Sequence, residues 1–261
     1  MSVRLAHIDL YPIKSFDPVA VEAARVLPAG GLEHDRQYAV FDKAGKLVNG
    51  KRTPLVHRLQ SSFDDSFEQV TLTDREDGRT ATFSFAADRP RLEAWLAERF
   101  GFPVDLREDK TSGFPDDTLS SGPTIIAAET LAHVGDWFGV PFDEARRRFR
   151  ANLVVEGGGP FWDDRLFAEP GETVTFRIGE AMFFGTNPCA RCVVPSRDSV
   201  TGEQRPGFAK EFAVRRRESL PAWSHTDAFD HFYRLAVNTR FFAPATGGRL
   251  RVGDDVEVFT G

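Results

Sequence analysis

Two cysteines stand three residues apart, and they are the residues whose type and spacing most directly suggest chemistry. Residues 187–192 read Asn-Pro-Cys-Ala-Arg-Cys, so Arg191 lies between Cys189 and Cys192. A guanidinium next to a thiol favours the thiolate, which is the form that binds soft metals or reacts as a nucleophile. We therefore expect a metal thiolate to be one use of this pair.

The spacing alone leaves three other uses open. Half of a tetrahedral zinc site would need further ligands from six histidines or from carboxylates, because the chain has only two cysteines. A thioredoxin-like redox pair should open a helix within a βαβ pattern, whereas Val193-Val194-Pro195 follows here and favours extended chain. Two buried, inert thiols would need no special neighbours.

Length and composition narrow the class of protein that must position this pair. A chain of 261 residues, 28% charged and 41% hydrophobic, has the profile of a globular protein with one large domain or two modest ones. Two cysteines so close together cannot form the disulfide framework of a secreted scaffold. The sequence therefore predicts a protein with a buried core and reduced thiols.

Charge and hydropathy exclude two classes of partner. The net charge of −6 argues against nucleic acid, and we interpret the basic runs Arg146-Arg147-Arg148 and Arg215-Arg216-Arg217 as solvated helix faces. No run approaches the roughly 18 to 20 apolar residues of a membrane helix, and the N-terminus alternates like a strand instead of a secretory segment. We expect a cytoplasmic protein with no membrane partner.

The first half of the chain has the pattern of short strands joined by tight turns. Val3 to Tyr11 alternates, Gln37 to Phe41 is β-prone, and Val70 to Thr73 with Thr80 to Phe85 predicts a hairpin. This is typical of a β-meander or barrel. Asp88 to Gly101 then predicts a helix, because it has an Asp N-cap, an early Pro and a terminal Gly.

A polar segment, Lys110 to Ser121, separates this half from a second one, and we place a boundary near residue 112. The second half predicts a helix near Ala127 to Phe138, a strand at Leu153 to Glu156, a strand pair near Thr173 to Phe184, a basic helix around Phe208 to Ser219 and a closing strand within Gly248 to Val258. The sequence therefore predicts a mixed, β-rich α+β fold with a few helices packed on it.

Several blocks along the chain together resemble the MOSC domain proteins. They are Tyr-Pro-Ile-Lys-Ser at 11–15, Gly-Leu-Glu-His-Asp-Arg-Gln-Tyr at 31–38, Arg-Phe-Arg-Ala-Asn-Leu-Val-Val at 148–155, Pro-Cys-Ala-Arg-Cys at 188–192 and Arg-Asp-Ser-Val-Thr-Gly at 197–202. Their order and spacing fit, so the resemblance covers nearly the whole chain. In architecture the chain is similar to the amidoxime-reducing components and their bacterial counterparts.

The resemblance implies a fold, a division into domains and a cofactor. It implies an N-terminal β-barrel-like region over residues 1–112 and a MOSC β-barrel domain with peripheral helices over residues 113–261. It also implies a molybdenum cofactor, in which Cys192 is both the metal ligand and the catalytic residue. A pterin dithiolene would supply two further sulfurs, and the cofactor carries the difficult redox step.

The resemblance assigns a set of residues to the phosphate and pterin of that cofactor. Charged donors suit a terminal phosphate, and a planar guanidinium suits both phosphate oxygens and the edge of a pterin. For each residue the alternative is a surface salt bridge or a turn position. The residues assigned are Lys14, Ser15, Arg36, Arg150 and Arg191, with Ser121, Thr124, Asn152 and Asp163 as additions.

The activity implied is that of a molybdopterin-dependent oxidoreductase. It would reduce N-hydroxylated small molecules, or related N-oxides and S-oxides, by two-electron oxygen-atom transfer. Electrons would come from a separate protein of ferredoxin, flavoprotein or cytochrome type, because this chain carries no cysteine-rich electron-transfer segment. The alternatives are a non-catalytic cofactor carrier or persulfide sulfur-transfer protein, and a plain binding barrel with zinc or no metal. The chain has no room for a desulfurase module, so no pyridoxal phosphate is predicted.

Overall fold

The computed structural model describes residues 2–241 and 248–259. The regions predicted at 1–112 and 113–261 also include residues 1, 242–247 and 260–261, which lie outside the described part. Within residues 2–241 and 248–259, no helix is both long enough and apolar enough to cross a bilayer.

The first part of the chain is mostly short strands, as its alternation predicts. Its helix at Arg89–Phe100 confirms the prediction from the Asp88 N-cap and the Gly stop, because Gly101 ends it with a left-handed φ of 77°. The elements are β1 (Val3–Leu10), β2 (Val19–Val21), β3 (Ala23–Arg25), β4 (Tyr38–Asp42), α1 (Leu55–Arg58), β5 (Leu59–Phe63), β6 (Gln69–Asp74), β7 (Thr80–Ser84), α2 (Arg89–Phe100) and β8 (Val104–Glu108).

In its described residues, the second part alternates strands with three α-helices, and it includes every element predicted there. The helix Phe142–Phe149 is an addition that the periodicity did not predict. The elements are β9 (Ile125–Ala127), α3 (Ala128–Phe138), α4 (Phe142–Phe149), β10 (Leu153–Glu156), β11 (Val174–Ile178), β12 (Ala181–Ala190), α5 (Phe208–Glu218), β13 (Arg234–Phe241), β14 (Arg249–Arg251) and β15 (Asp255–Phe259).

Among the described residues, seven strands form a closed barrel in the order β10-β9-β13-β12-β11-β15-β1, and β1 pairs back onto β10. β1 is antiparallel to both neighbours, with Leu5 opposite Val155 and Val3 opposite Val256. A strand from the start of the chain therefore closes the barrel made by the second half. The division near residue 112 stays a prediction, and in the structure the two regions share this sheet.

Three hydrophobic cores hold the elements in place. The barrel interior contains Leu5, Ile8 and Phe176, all at most 1% exposed. The first region packs α2 on the sheets β4-β8 and β5-β6-β7, with Leu92 and Leu96 fully buried. Helices α3, α4 and α5 cover the barrel through a third core. Each buried aliphatic or aromatic side chain contributes roughly 1.5–3 kcal/mol.

The prediction that both basic runs are solvated helix faces is wrong for one buried arginine in each run, Arg216 and Arg148. Arg216 is 1% exposed and its Nη2 lies 2.6 Å from Asp164 Oδ1. Arg148 is also buried and pairs with Glu144 at 2.5 Å. Charge alone does not reveal that Arg216 has a partner 52 residues earlier. The tertiary fold decides which arginines of a basic run are buried.

The prediction of extended chain after the second cysteine is also wrong. Val194–Ser196 forms a single 3-10 turn, and the Ser196 N–H donates to the carbonyl of Val193 at 3.0 Å. Pro195 fits because it lies at the start of the turn, where no amide donor is needed. This turn bends the chain immediately after Cys192.

Candidate functional site

A cavity of about 590 Å³ lies between the first region and the barrel. Its walls come from the 11–16 and 31–36 segments, the loop that contains α1, the polar segment 110–122, the end of α4 and the end of β12. It has the size and the mixed polar lining of a small-molecule site. Both cysteines, Cys189 and Cys192, face this space and are half-buried.

Three hydrogen bonds fix Cys192 and its neighbour Arg191 just after the end of β12. The N–H of Val194, at the start of the 3-10 turn, donates to Cys192 Sγ at 3.5 Å. The hydroxyl of Tyr233 donates to the Cys192 carbonyl at 2.9 Å, and the Arg191 N–H donates to the Tyr233 carbonyl at 3.0 Å. Burial raises the pKa of Tyr233, so its hydroxyl remains a donor. The backbone around the sulfur is therefore fixed.

The guanidinium of Arg191 bridges two groups beside the cavity. It donates to the Phe149 carbonyl at the end of α4, and its Nη1 lies 3.3 Å from Cys189 Sγ. Its carbon also lies 5.6 Å from the centre of the Phe149 ring. The positive charge that the sequence places between the two thiols therefore contacts the first of them.

A pair of guanidiniums flanks the ring of Tyr11. The carbon of Arg150 lies 4.1 Å from the ring centre and that of Arg36 lies 5.3 Å from it. Arg36 pairs with Asp35 and donates to Asn152 Oδ1 at 3.1 Å. Burial and nearby Asp9 raise the pKa of Tyr11, and its hydroxyl has no hydrogen-bond partner among the described residues.

Arg150 has no such carboxylate. Its Nη2 donates to the carbonyl of Phe16 at 2.8 Å, and burial lowers its pKa, with nearby Arg36 acting in the same direction. Within the described part of the chain, neither Arg150 nor Arg191 forms an ion pair. A desolvated charge without a counter-ion is costly, so Arg150, together with the half-buried and unpaired Arg191, favours binding of an anion in the cavity.

Backbone strain is concentrated at the same place. Ser15, Arg36 and Arg150 line the cavity and have φ values of 75°, 50° and 53°. Residues other than glycine adopt this left-handed backbone conformation at a cost in free energy, and such residues cluster at ligand sites. The N–H of Arg36 donates to the Tyr11 carbonyl at 2.8 Å, which fixes the 11–16 and 31–36 segments against each other.

The family of the chain follows from its match to two known domain models. The model described as "MOSC N-terminal beta barrel domain" matches residues 2–107, and the model described as "MOSC domain" matches residues 123–257, which is more than half of the chain. The chain belongs to the MOSC domain family.

Curated relatives of this MOSC protein include molybdenum cofactor sulfurases. The molybdenum cofactor sulfurase of Drosophila grimshawi is 25% identical over 78% of the chain, and that of Anopheles gambiae is 24% identical over 82%. The MOSC chain spans 29% and 33% of their lengths, so less than half of each relative is matched. A solved structure, YiiM from Geobacillus stearothermophilus, is 13% identical, with a TM-score of 0.35 over 53% of this chain and 54% of that one.

The cavity of this MOSC protein brings together nine of the ten site residues predicted from the sequence. Asp163 is the exception, because it is 1% exposed and accepts hydrogen bonds from Thr130 Oγ1 at 2.6 Å and the Ala127 N–H at 3.2 Å. It supports the start of α3 away from the cavity. The residues that line the cavity are Lys14, Ser15, Arg36, Ser121, Thr124, Arg150, Asn152, Arg191 and Cys192.

Three of these nine residues, Ser121, Thr124 and Asn152, form hydrogen bonds to other parts of the protein. Ser121 Oγ donates to the Ala29 carbonyl at 2.7 Å, and Thr124 Oγ1 accepts the N–H of Asn152 at 3.3 Å. Asn152 is 1% exposed, and its Nδ2 donates to the Asp9 carbonyl at 3.0 Å. Together these contacts fix the wall against which the Arg36 guanidinium rests.

Sequence reasoning missed His57, which lies on α1 and lines the cavity. Burial lowers its pKa to about 4, and nearby Arg150 and Arg197 act in the same direction. Its Nε2 is buried without a partner among the described residues, under Gly50. The imidazole is therefore neutral and adds no charge to the cavity. No periodicity or motif marks this histidine, because α1 is only four residues long.

The alternatives for the cysteine pair can now be compared with the geometry. The pair lies at the end of β12, which is antiparallel to β11 and β13, so a βαβ redox motif is not present there. Neither thiol is fully buried. The described residues contain no group of three His, Cys, Asp or Glu side chains arranged for a metal ion, which leaves a zinc site without a ligand set in that part.

Proposed function

We propose that this MOSC protein binds the molybdenum cofactor in the cavity, with the Cys192 thiolate as metal ligand. The observation that carries the proposal is that one cavity contains a half-exposed thiol and the two guanidiniums that lack carboxylate partners, Arg150 and Arg191. A soft sulfur donor beside guanidiniums without carboxylate partners fits a molybdenum pterin that ends in a phosphate.

Each residue has a defined part in holding such a ligand. Lys14, Ser15 and Arg36 would bind the phosphate, and the planar forks of Arg150 and Arg191 would bind pterin or phosphate oxygens. Val194 and Tyr233 orient the Cys192 segment through the hydrogen bonds described above. When bound, the cofactor supplies a metal that changes oxidation state by two electrons and accepts an oxygen atom.

As the reaction we propose reduction of an N-hydroxylated small molecule, or of a related N-oxide or S-oxide. The N–O bond of the substrate breaks, two electrons and two protons are consumed, and water leaves. The electrons come from a separate electron-transfer protein. The cavity supports this assignment because its volume of about 590 Å³ suits a small substrate and the Cys192 thiol that lines it is half-buried.

Sulfur handling is the second candidate, and one observation favours it. The matched relatives carry the name molybdenum cofactor sulfurase, and the cavity holds a second thiol, Cys189, beside the Arg191 guanidinium. In this form of the proposal a cysteine of the pair carries a persulfide and the protein carries the cofactor without turnover. The pyridoxal phosphate chemistry of a sulfurase is not proposed for this chain.

The test is expression in a host that makes molybdopterin, followed by metal and pterin analysis. We expect about one molybdenum per chain, loss of at least tenfold in Cys192→Ser, and a smaller loss in Cys189→Ser. Equal losses in the two variants would contradict the assignment of Cys192.

Turnover then separates the two candidates. Reduction of an N-hydroxylated amidine by loaded protein, with a reduced viologen dye as electron donor, would support the reductase. A removable 32-Da adduct on the intact chain, together with no turnover by loaded protein, would support sulfur handling instead.

A further inference from the structure

An acidic side chain pairs with two lysines in the wall of the cavity. Asp116 Oδ1 lies 3.0 Å from Lys14 Nζ and 3.4 Å from Lys51 Nζ, and all three residues line the cavity. The Lys14 side chain is 8% exposed, whereas that of Asp116 is 59% exposed. The carboxylate therefore covers a buried ammonium from the solvent side.

The charges around Asp116 form a site for an anion. Lys14, Lys51 and the nearby Arg36 all favour the charged carboxylate, and together they lower the pKa of Asp116 although partial desolvation opposes them. Arg36 already has Asp35 as a partner, and Lys14 also donates to the carbonyl of Phe114 at 2.7 Å. Lys14 and Lys51 are thus the cations that Asp116 neutralises.

Asp116 can leave this position without breaking a core contact. It lies in the segment 110–122, which contains no helix or strand, and its side chain is 59% exposed. The Phe114 carbonyl would remain on Lys14 when the carboxylate moves out. Outward rotation therefore exposes a pair of ammonium groups inside the cavity.

We infer that Asp116 is an internal competitor for the anion site of Lys14 and Lys51, and that a ligand phosphate binds there by displacing it. Such a competitor lowers the binding affinity of every anion by the same factor. Weak monoanions present at millimolar concentration are then kept out, while a phosphate held by further contacts still binds. The inference rests on the proposed function only in taking the natural anion to be the phosphate of the pterin cofactor.

The experiment uses the full chain purified without cofactor, in a buffer low in chloride. Calorimetry measures the affinity of inorganic phosphate and of acetate for wild type, Asp116→Asn, Asp116→Glu and Asp117→Asn. Asp117 is the matched control, because it is the next residue of the same loop and its carboxylate accepts the N–H groups of Leu119 and Ser120 instead of pairing with a lysine.

In Asp116→Asn we expect the affinity of both anions to rise by the same factor, about three- to fivefold, as for removal of one partly exposed ion-pair partner. Asp116→Glu should keep the wild-type values, and Asp117→Asn should change them less than about twofold. Equal gains in the two Asn variants would overturn the inference. So would no gain in Asp116→Asn.

The ratio of the two gains separates displacement from simple repulsion. If Asp116 stayed in place and only repelled the ligand, a dianion would gain about the square of the factor for a monoanion, and that outcome would also overturn the inference. Molybdenum content is measured separately. A chain that never retains molybdenum but shows equal gains would contradict the proposed function and leave this inference standing.

Discussion

Arg191 donates a hydrogen bond to the sulfur of Cys189, at 3.3 Å, while its other terminal nitrogen donates to the carbonyl of Phe149. One planar group therefore ties the end of β12 to the end of α4. The relationship links the half-exposed Cys189 thiol to helix α4, which ends at Phe149. It also means that the shape of this side chain matters as well as its charge.

Replacement of Arg191 by lysine should expose that dependence. A lysine keeps the charge but cannot reach the sulfur and the carbonyl together, so we expect molybdenum and pterin retention to fall about tenfold. The matched control is Arg205→Lys, because Arg205 also donates to a carbonyl, that of Phe138, and stacks on its ring outside the cavity. Full retention in Arg191→Lys would contradict the prediction.

Arg150 should affect ligand retention without supporting the fold. Its charge is desolvated and unpaired, so Arg150→Met should change the free energy of unfolding of the cofactor-free chain by less than about 1 kcal/mol. Molybdenum retention should nevertheless fall at least tenfold. Denaturant unfolding and metal analysis measure the two effects, and Arg147→Met, on the exposed face of α4, should change neither. A variant that keeps its molybdenum would refute this role.

His57 should make stability depend on pH. Its pKa in the folded chain is about 4, below the ordinary 6.5, so the unfolded chain binds a proton first as the pH falls. Stability is complete above about pH 6.5 and decreases toward pH 4, by up to about 3 kcal/mol. Unfolding measured between these pH values should show a shallower slope in His57→Leu than in wild type. An unchanged slope would show that another group is responsible.

The buried pair of Arg216 and Asp164 should matter for folding and not for the ligand. Removing one partner leaves an unpaired charge in the core, so Arg216→Met should cost about 3–5 kcal/mol of unfolding free energy. Arg217→Met, one residue further along the exposed side of α5, should cost less than about 0.5 kcal/mol. Similar costs in the two variants would indicate that the ion pair adds little.

The sequence predicted the parts of this molecule that depend on local signals. The cap and stop residues of α2 and the alternation of β1 are signals from neighbouring residues. Together with the motif blocks they led to the barrel, to helices α2, α3 and α5, and to nine cavity residues. The helix α4 was missed although it has acidic residues in its first turn and arginines in its last, which is a readable dipole pattern.

Long-range contacts explain what the sequence could not give. Asp163 lies a few residues after the motif block 148–155, so the sequence suggests that it shares the site. Its carboxylate instead accepts a hydrogen bond from Thr130 in α3. Asp116 and His57 belong to the cavity only because separate loops meet there. No local pattern reveals that Asp116 faces a lysine 102 residues earlier, or that His57 is buried under Gly50.

The position of β1 between β10 and β15 has a consequence for synthesis on the ribosome. β1 emerges long before one of its partners, the strand Asp255–Phe259, because most of the described chain lies between them. Such distant pairing slows folding and leaves strand edges open until late. We therefore expect nascent chains that lack β15 to hold an unfinished barrel and to recruit chaperones, and the cavity to take its final shape only after β15 has been made.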